Sequence, residues 1–548
     1  MTQTPQTTTA TNGSSATETV DAVVVGAGFA GLYMLYRLRE LGLTTKAFEA
    51  GNDIGGTWYW NRYPGARCDV ESLEYSFSFS KELEQDWDWT EKYATQPEIL
   101  GYANHVADRF DLRRDIQLST RVVAAVFDEG ARRWTVSTDR GDRVSAQFCV
   151  MATGCLSTPK WPEVPGRDRF EGRSFHTGLW PHEGVDLSGQ RVAVIGTGSS
   201  GIQSIPIFAE QADDLTVFQR TPNFSFPAGN RPLDPGVVDA MKAAYPAHRQ
   251  EARESGFGIP VELPEKSALE VPEDERRTMY EERWGRGNLV ALMLAYNDLI
   301  YDKEANDTAA EFVRDKIRQT VKDPTVAELL CPTDHPMGTK RPCLDTNYYA
   351  TYNRDDVHLV DVRSTPILEI TPKGIRTTEK DYEFDTIIYA TGFDAMTGAV
   401  TNIDVRGSGG ASLKEKWAAG PRTYLGVSVA GFPNLFTITG PGSPSVLSNM
   451  MVSIEQHVDW IGDCIRYLRD RDIAAIDATP EAEDEWVEHV REVGETTLYP
   501  LANSWYMGSN VAGKVRVFMP YIGGVGVYRQ KCDEVAARGY EGFTLSPC

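Results

Sequence analysis

Ala22-Val23-Val24-Val25-Gly26-Ala27-Gly28-Phe29-Ala30-Gly31 is the stretch whose reading decides the fold. A short apolar run of this length suits a buried strand, and the glycines that end it suit a tight turn into a helix. Leu32, Leu35, Leu38 and Leu41 then recur at a helical spacing. A second strand, 45–48, ends at Glu49. Strand, glycine turn, helix, strand and acid together form a dinucleotide-binding βαβ unit.

The pattern returns about 170 residues later. A strand at 192–195 runs into Gly196-Thr197-Gly198-Ser199-Ser200-Gly201, and a helix is expected over 202–209, with Pro206 shortening or kinking it. The strand at 215–218 ends at Gln219-Arg220. The expected fold is α/β, with two Rossmann-like dinucleotide-binding domains and a helical insertion. Two further strands, 148–151 and 386–389, each end in Ala-Thr-Gly (152–154 and 390–392) and read as crossings between the domains. The expected organisation is a disordered tail at 1–19 and a discontinuous FAD-binding domain at 20–155 and 386–548. An NADP-binding domain at 156–385 carries the helical insertion at 233–330. Helices are expected there at 241–253, 274–283 and 308–321.

In each turn the first glycine permits the bend, the second lets backbone approach a pyrophosphate, and the third lets helix pack on strand. Gly26, Gly28, Ala30 and Gly31 form one such wall; Thr197, Gly198, Ser199, Ser200, Gly201, Ile202 and Gln203 form the other. The strand-end residue separates the cofactors. Glu49 can accept hydrogen bonds from ribose hydroxyls, and its charge would repel a 2′-phosphate, which suits FAD. Arg220, beside Thr221, can make charge-assisted bonds to a 2′-phosphate, which favours NADPH over NADH in the second unit.

Composition bounds the alternatives. The 548 residues exceed one ordinary core, and a net charge of −23 disfavours nucleic acid and anionic membranes as partners. The eight cysteines include no C-x-x-C pair, which argues against a zinc site or a redox dithiol and favours reduced thiols in the cytoplasm. No metal site is expected. The first 19 residues lack the basic start and apolar stretch of a signal peptide, and no apolar run is long enough to span a bilayer.

Two segments name a chemistry. Phe170-Glu171-Gly172-Arg173-Ser174-Phe175-His176-Thr177-Gly178-Leu179-Trp180-Pro181 has the spacing F-x-G-x-x-x-H-x-x-x-W-P. It resembles the fingerprint of Type I Baeyer–Villiger monooxygenases, carried here by Phe170, Gly172, His176, Trp180 and Pro181. Residues 55–69, Gly-Gly-Thr-Trp-Tyr-Trp-Asn-Arg-Tyr-Pro-Gly-Ala-Arg-Cys-Asp, look like that family's second signature. Segments 414–426 and 440–449 are similar to the phenylacetone and steroid monooxygenase branch. The resemblance runs from Val20 to Thr544.

The resemblance implies conversion of a ketone to an ester or lactone with NADPH, O2 and FAD, through a C4a-peroxyflavin. It also implies roles for particular residues. Arg341, in Lys340-Arg341-Pro342, stabilises the charged oxygen-transfer species, and Asp69 orients it. Thr57, Trp58, Tyr59, Trp60, Arg67, Cys68, Asp69, Tyr75 and Val122 line FAD; Lys340 joins Arg220 at the 2′-phosphate. Trp505 folds over the nicotinamide nucleotide. Ser445, Val446, Leu447 and Met450 belong to the substrate loop, Met450 also touching cofactor. His176 couples domain movement. The implied partners are a small ketone and O2, and the chain is expected to be a monomer or weak oligomer. Cys155 and Cys343 depart from the usual pattern.

Other readings stay open on the residues alone. An N- or S-oxygenating flavin monooxygenase shares the Phe, Gly and His of the fingerprint but usually lacks Trp-Pro. A disulfide reductase needs a cysteine pair that this sequence lacks, and a non-enzymatic flavin sensor would not turn over NADPH.

Overall fold

The computed structural model describes residues 17–547. The strand Glu18–Val25 lies inside an eight-stranded sheet, parallel to Thr45–Phe48 on one side and to Arg143–Met151 on the other. Its residues Ala22, Val23 and Val24 are fully buried. A parallel strand covered on both faces needs a continuous apolar run, which is why this one reads without alternation. The strand starts earlier than expected: Glu18 and Thr19 pair with Val144 and Ser145, so they belong to the sheet and not to a tail. The rest of the expected tail, 1–16, lies outside the described residues.

The helix Phe29–Glu40 covers one face and packs beside the helix Met450–Arg469, where the Tyr33 hydroxyl donates to Asp459 at 2.6 Å. The antiparallel strands Val122–Asp128 and Arg133–Thr138 extend the sheet, with Asp404–Arg406 on its edge. Leu435–Thr437 adds on beside Arg143–Met151. The first unit therefore draws strands from both ends of the chain.

The second sheet has five parallel strands in the order Val357–Asp361, Asp214–Gln219, Arg191–Ile195, Thr386–Tyr389, Arg173–His176. This order corrects one expected boundary. Thr386–Tyr389 does not open the return to the first unit; it lies between two strands of the second, and the chain crosses back only after it. Its residues are buried and apolar apart from Thr386, and the sequence carries no mark of which sheet such a strand joins. The helix Ser199–Gln211 continues through Pro206, which neither ends nor shortens it.

The region after this contains four helices, Pro235–Glu254, Glu273–Arg286, Lys303–Thr320 and Pro324–Leu330, the last of them absent from the sequence expectation. Asp234, Asp302 and Asp323 cap three of them by accepting backbone N–H bonds. The region does not act as one insertion. Pro235–Glu254 docks on the first unit, through Tyr245 to the Leu73 carbonyl and Arg249 to Ser76. The later helices bury Ala309, Phe312, Val313 and Ile317 in the core of the second.

The two crossings lie against each other. Met396 donates its N–H to Cys155, Asp394 to Thr158, and the Lys160 N–H to Gly392, at 2.8, 2.9 and 2.8 Å. His176, buried at the end of its strand, bonds to both crossings. Gly178 N–H donates to its Nδ1, so Nε2 carries the proton, and Nε2 lies 3.1 Å from the Lys160 carbonyl and 3.3 Å from the Thr391 hydroxyl. Burial holds His176 below the ordinary imidazole range, which keeps it neutral.

Candidate active site

The two glycine turns repeat the same contact. Gly26 has φ +105°, and a Cβ there would stand 2.5 Å from the Ala152 carbonyl oxygen. Gly196 has φ +114°, and its Cβ would stand 2.4 Å from the Ala390 carbonyl oxygen. Each first glycine is thus wedged against the Ala-Thr-Gly that ends the neighbouring strand. Only glycine fits both the backbone and the space.

One cavity of about 1120 Å³ runs between the turns. At one end it is lined by Gly26, Gly28, Ala30, Glu49, Thr57, Trp58 and Trp60, with Val122 alongside. The Glu49 carboxylate is buried and fixed by N–H bonds from Ala27 and Gly51, both 2.8 Å. At the other end lie Thr197, Gly198, Ser199, Ser200, Gln203, Arg220 and Thr221. Arg67, Cys68, Asp69, Tyr75, Arg341, Val446, Met450 and Trp505 line the middle.

The segment 61–69 connects the ends. The Tyr63 hydroxyl donates to Gln203 Oε1 at 2.8 Å, and Gln203 Nε2 donates to the Arg67 carbonyl at 3.1 Å. Asp69 and Arg341 face each other in the middle. Arg341 Nε and Nη2 donate to the two carboxylate oxygens at 2.6 and 2.9 Å, and Nη1 donates to the Val446 carbonyl at 2.6 Å. The side chains are 21% and 25% exposed, so they are mostly desolvated yet reach the cavity. Burial opposes charge on both, but their mutual attraction and hydrogen bonds override it. Arg341 is held well above the usual guanidinium range and Asp69 below the usual carboxylate range. The backbone of Arg341 is held as well, its carbonyl accepting from Asn223 Nδ2 at 2.9 Å.

Several residues expected in the site stand outside the cavity wall. The Tyr59 side chain turns away: its hydroxyl donates to Asn52 at 2.6 Å and meets His182, and its ring faces Arg62. Within the short helix Thr57–Trp60, successive side chains point in different directions, so a run of motif residues cannot all face one ligand. Gly31 and Gly201 pack against the Gly26 and Gly196 carbonyls, and Ile202 is core. Ser445 is buried with its hydroxyl on the Thr439 carbonyl, and Leu447 packs in a small cluster with Val446 and Tyr506. Lys340 is half-buried outside the cavity lining, close enough to Arg220 for their charges to repel. Phe170, Gly172, Trp180 and Pro181 are also away from the cavity; Trp180 stacks on Phe208.

Sequence reasoning missed Lys160, Tyr63, Val70, Ile454, Ser509 and Asn510, which also line the cavity. Tyr63 lies within the signature 55–69 without an implied role there, and the others fall outside the motifs. Burial pushes the thiols of Cys155 and Cys343, both close enough to Arg341 to feel its charge, up to about 11, which disfavours the thiolate. All cysteines among the described residues are free and buried. No cluster of metal-ligating side chains occurs among the described residues, and no helix there is long and apolar enough to cross a membrane.

Two glycine turns, one on a mixed sheet and one on a parallel sheet, opening into one cavity with a mostly buried arginine–aspartate pair, define a two-nucleotide oxidoreductase fold. Residues 23–247 match the family described as pyridine nucleotide-disulphide oxidoreductase. A Baeyer–Villiger monooxygenase of Pseudooceanicola batsensis is 44% identical over 95% of each chain. The phenazine N-monooxygenase PhzNO1 of Lysobacter antibioticus is 43% identical over 96% of this chain and 97% of its own. A solved structure, oxidised steroid monooxygenase bound to NADP, is 58% identical, with TM-score 0.92 over 97% of this chain and 100% of its own. The chain belongs to the Baeyer–Villiger monooxygenase family of flavoproteins.

Proposed function

We propose that this chain is an FAD-containing, NADPH- and O2-dependent monooxygenase that converts ketones to esters or lactones. The single observation that carries the reading is the Arg341–Asp69 pair in the wall of a cavity that joins two dinucleotide turns.

The residues present fit the two cofactors. Gly28 is packed closely, a Cβ there standing 3.2 Å from Gly56 Cα, whereas a Cβ at Gly198 would meet nothing within 4 Å. Both glycines cap the start of a helix and put no side chain over it, which suits a pyrophosphate held by unpaired N–H groups. Ser509 Oγ and Asn510 Oδ1 are buried in residues of the cavity wall without a hydrogen-bond partner, as expected of groups that serve a polar ligand. In this reading Gly26, Gly28, Ala30, Glu49, Thr57, Trp58, Trp60 and Tyr75 hold FAD. Thr197–Ser200, Gln203, Arg220 and Thr221 hold NADPH, with Trp505 covering it.

When bound, the reduced flavin supplies the oxygen chemistry that places one atom of O2 beside a ketone carbonyl. The protein supplies charge and dryness. Arg341 offers a fixed cation to negative charge developing on oxygen in the transition state, and a preorganised donor of this kind is worth about 10²–10³ in rate. Asp69 holds two of its donors and keeps the fork in one orientation. Val446 and Met450 bound the place where a small ketone would sit, beside Ile454 and Val70.

His176 would couple the two units through Lys160 and Thr391, without touching the reacting atoms. We assign the first unit to FAD and the second to NADP, and place the chain in the cytoplasm as a monomer or weak oligomer that avoids nucleic acid.

N-oxygenation is a second reading, favoured by the likeness to PhzNO1. A panel of ketones, amines and sulfides with the purified yellow protein separates the two, measuring NADPH oxidation and product together. Ester formation from ketones supports the first reading. Oxygenated amines or sulfides with no ester support the second.

A further inference from the structure

We propose that Lys160 is a third cation for the 2′-phosphate end of the nucleotide, and that through its backbone it reports nucleotide occupancy to the crossings between the two units. The proposal rests on the reading that the 2′-phosphate lies at Arg220.

Lys160 lies in Pro159-Lys160-Trp161-Pro162, after the first crossing and outside every motif. It lines the cavity together with Arg220 and Thr221. Burial and then the nearby Arg220 charge both pull its ammonium below the ordinary lysine range, while Glu163 and Asp394 act in the opposite sense. Of those acids, Asp394 is already paired with Lys514 at 2.7 Å, and Glu163 is exposed at the rim. Lys160, Arg220 and Lys340 form no ion pair among the described residues, although 45 such pairs occur elsewhere in them. Arg220 is exposed, and Asp334 favours the Lys340 charge as Glu163 and Asp394 favour that of Lys160, but none of these carboxylates pairs directly with the three cations. In a chain of net charge −23 this end of the cavity is therefore a local basic site that suits an anion.

The backbone of the same residue bonds to the second crossing and to His176. Its N–H donates to the Gly392 carbonyl at 2.8 Å. Its carbonyl accepts from His176 Nε2 at 3.1 Å and from the Thr391 hydroxyl at 2.5 Å. A pull on the ammonium by a phosphate is therefore delivered to both crossings and to the histidine of the fingerprint. Among the described residues, Arg220 and Lys340 make no such backbone connection to the crossings.

The test uses the FAD-loaded enzyme and two nucleotide fragments, 2′,5′-ADP and 5′-AMP, by calorimetry. Lys160→Met is expected to weaken 2′,5′-ADP about tenfold and 5′-AMP less than twofold, with Lys160→Arg restoring most of the loss. If Lys160→Met binds 2′,5′-ADP normally while Arg220→Ala loses it, the proposal is overturned and the nucleotide assignment stands. If neither variant changes binding, the assignment at Arg220 itself fails. Equal weakening of both fragments also overturns the proposal, because it would reflect general damage. Hydrogen exchange at 155–160 and 390–396 tests the second clause. Saturating NADP⁺ is expected to protect these amides in the wild type and less so in Lys160→Met. Equal protection in both, or none in the wild type, contradicts it.

Discussion

Asp69 and Arg341, 272 residues apart in sequence, are joined by two parallel hydrogen bonds inside the cavity wall. One comes from the segment 61–69 of the first unit, the other from the loop after the helices of the second. The pair therefore exists only when both units are assembled. Breaking a buried pair by removing one partner typically costs about 3–5 kcal/mol, because a charge is left behind. Asp69→Ala is expected to leave Arg341 misoriented, lowering the ester-forming kcat by about 10²-fold while flavin reduction by NADPH proceeds. Stopped-flow bleaching of the flavin and product assay together check this.

Gly26→Ala is expected to abolish flavin retention, since its Cβ would lie 2.5 Å from the Ala152 carbonyl. Gly196→Ala meets the same obstacle at Ala390 and is expected to spare the yellow colour but lose nucleotide binding. Absorbance of the purified variants and NADP⁺ titration distinguish the two outcomes.

Arg220→Ala is expected to raise the KM for NADPH about 10- to 100-fold, with that for NADH nearly unchanged, as the loss of a charge-assisted bond implies. Steady-state kinetics with each nucleotide checks the ratio.

His457 makes a pH prediction. It is buried with Nδ1 accepting from Thr439 N–H at 2.8 Å and Nε2 2.7 Å from the Tyr528 hydroxyl. Burial, reinforced by the Arg529 charge, pushes it down to about 3. The folded state keeps it neutral while the unfolded chain binds a proton below about 6.5. Stability is therefore complete above that value and is lost as pH falls from about 6.5 towards 3, by up to about 1.4 kcal/mol per pH unit. Denaturant midpoints across this range should show a shallower slope in His457→Gln. An unchanged slope would contradict the assignment.

The two turns are legible because each combines glycine spacing, apolar strand and strand-end residue within one local stretch. Glu49 and Arg220 come from the same logic, and Arg341 and Asp69 from a family likeness. Tyr59 shows the limit of motif reading: it sits among residues that line the cavity, yet faces Asn52 and His182. Thr386–Tyr389 shows another, because a short apolar strand does not state its sheet. Lys160 escapes because its neighbours Arg220, His176 and Thr391 are distant in sequence, and only the two crossings bring them together.

The most direct measurement tracks NADPH consumption, ester and hydrogen peroxide together in Arg341→Ala with a ketone that the wild type accepts. The account predicts that this variant oxidises NADPH, releases peroxide in matching amount, and forms at least about 10²-fold less ester. Ester formed at the wild-type ratio to NADPH would contradict it.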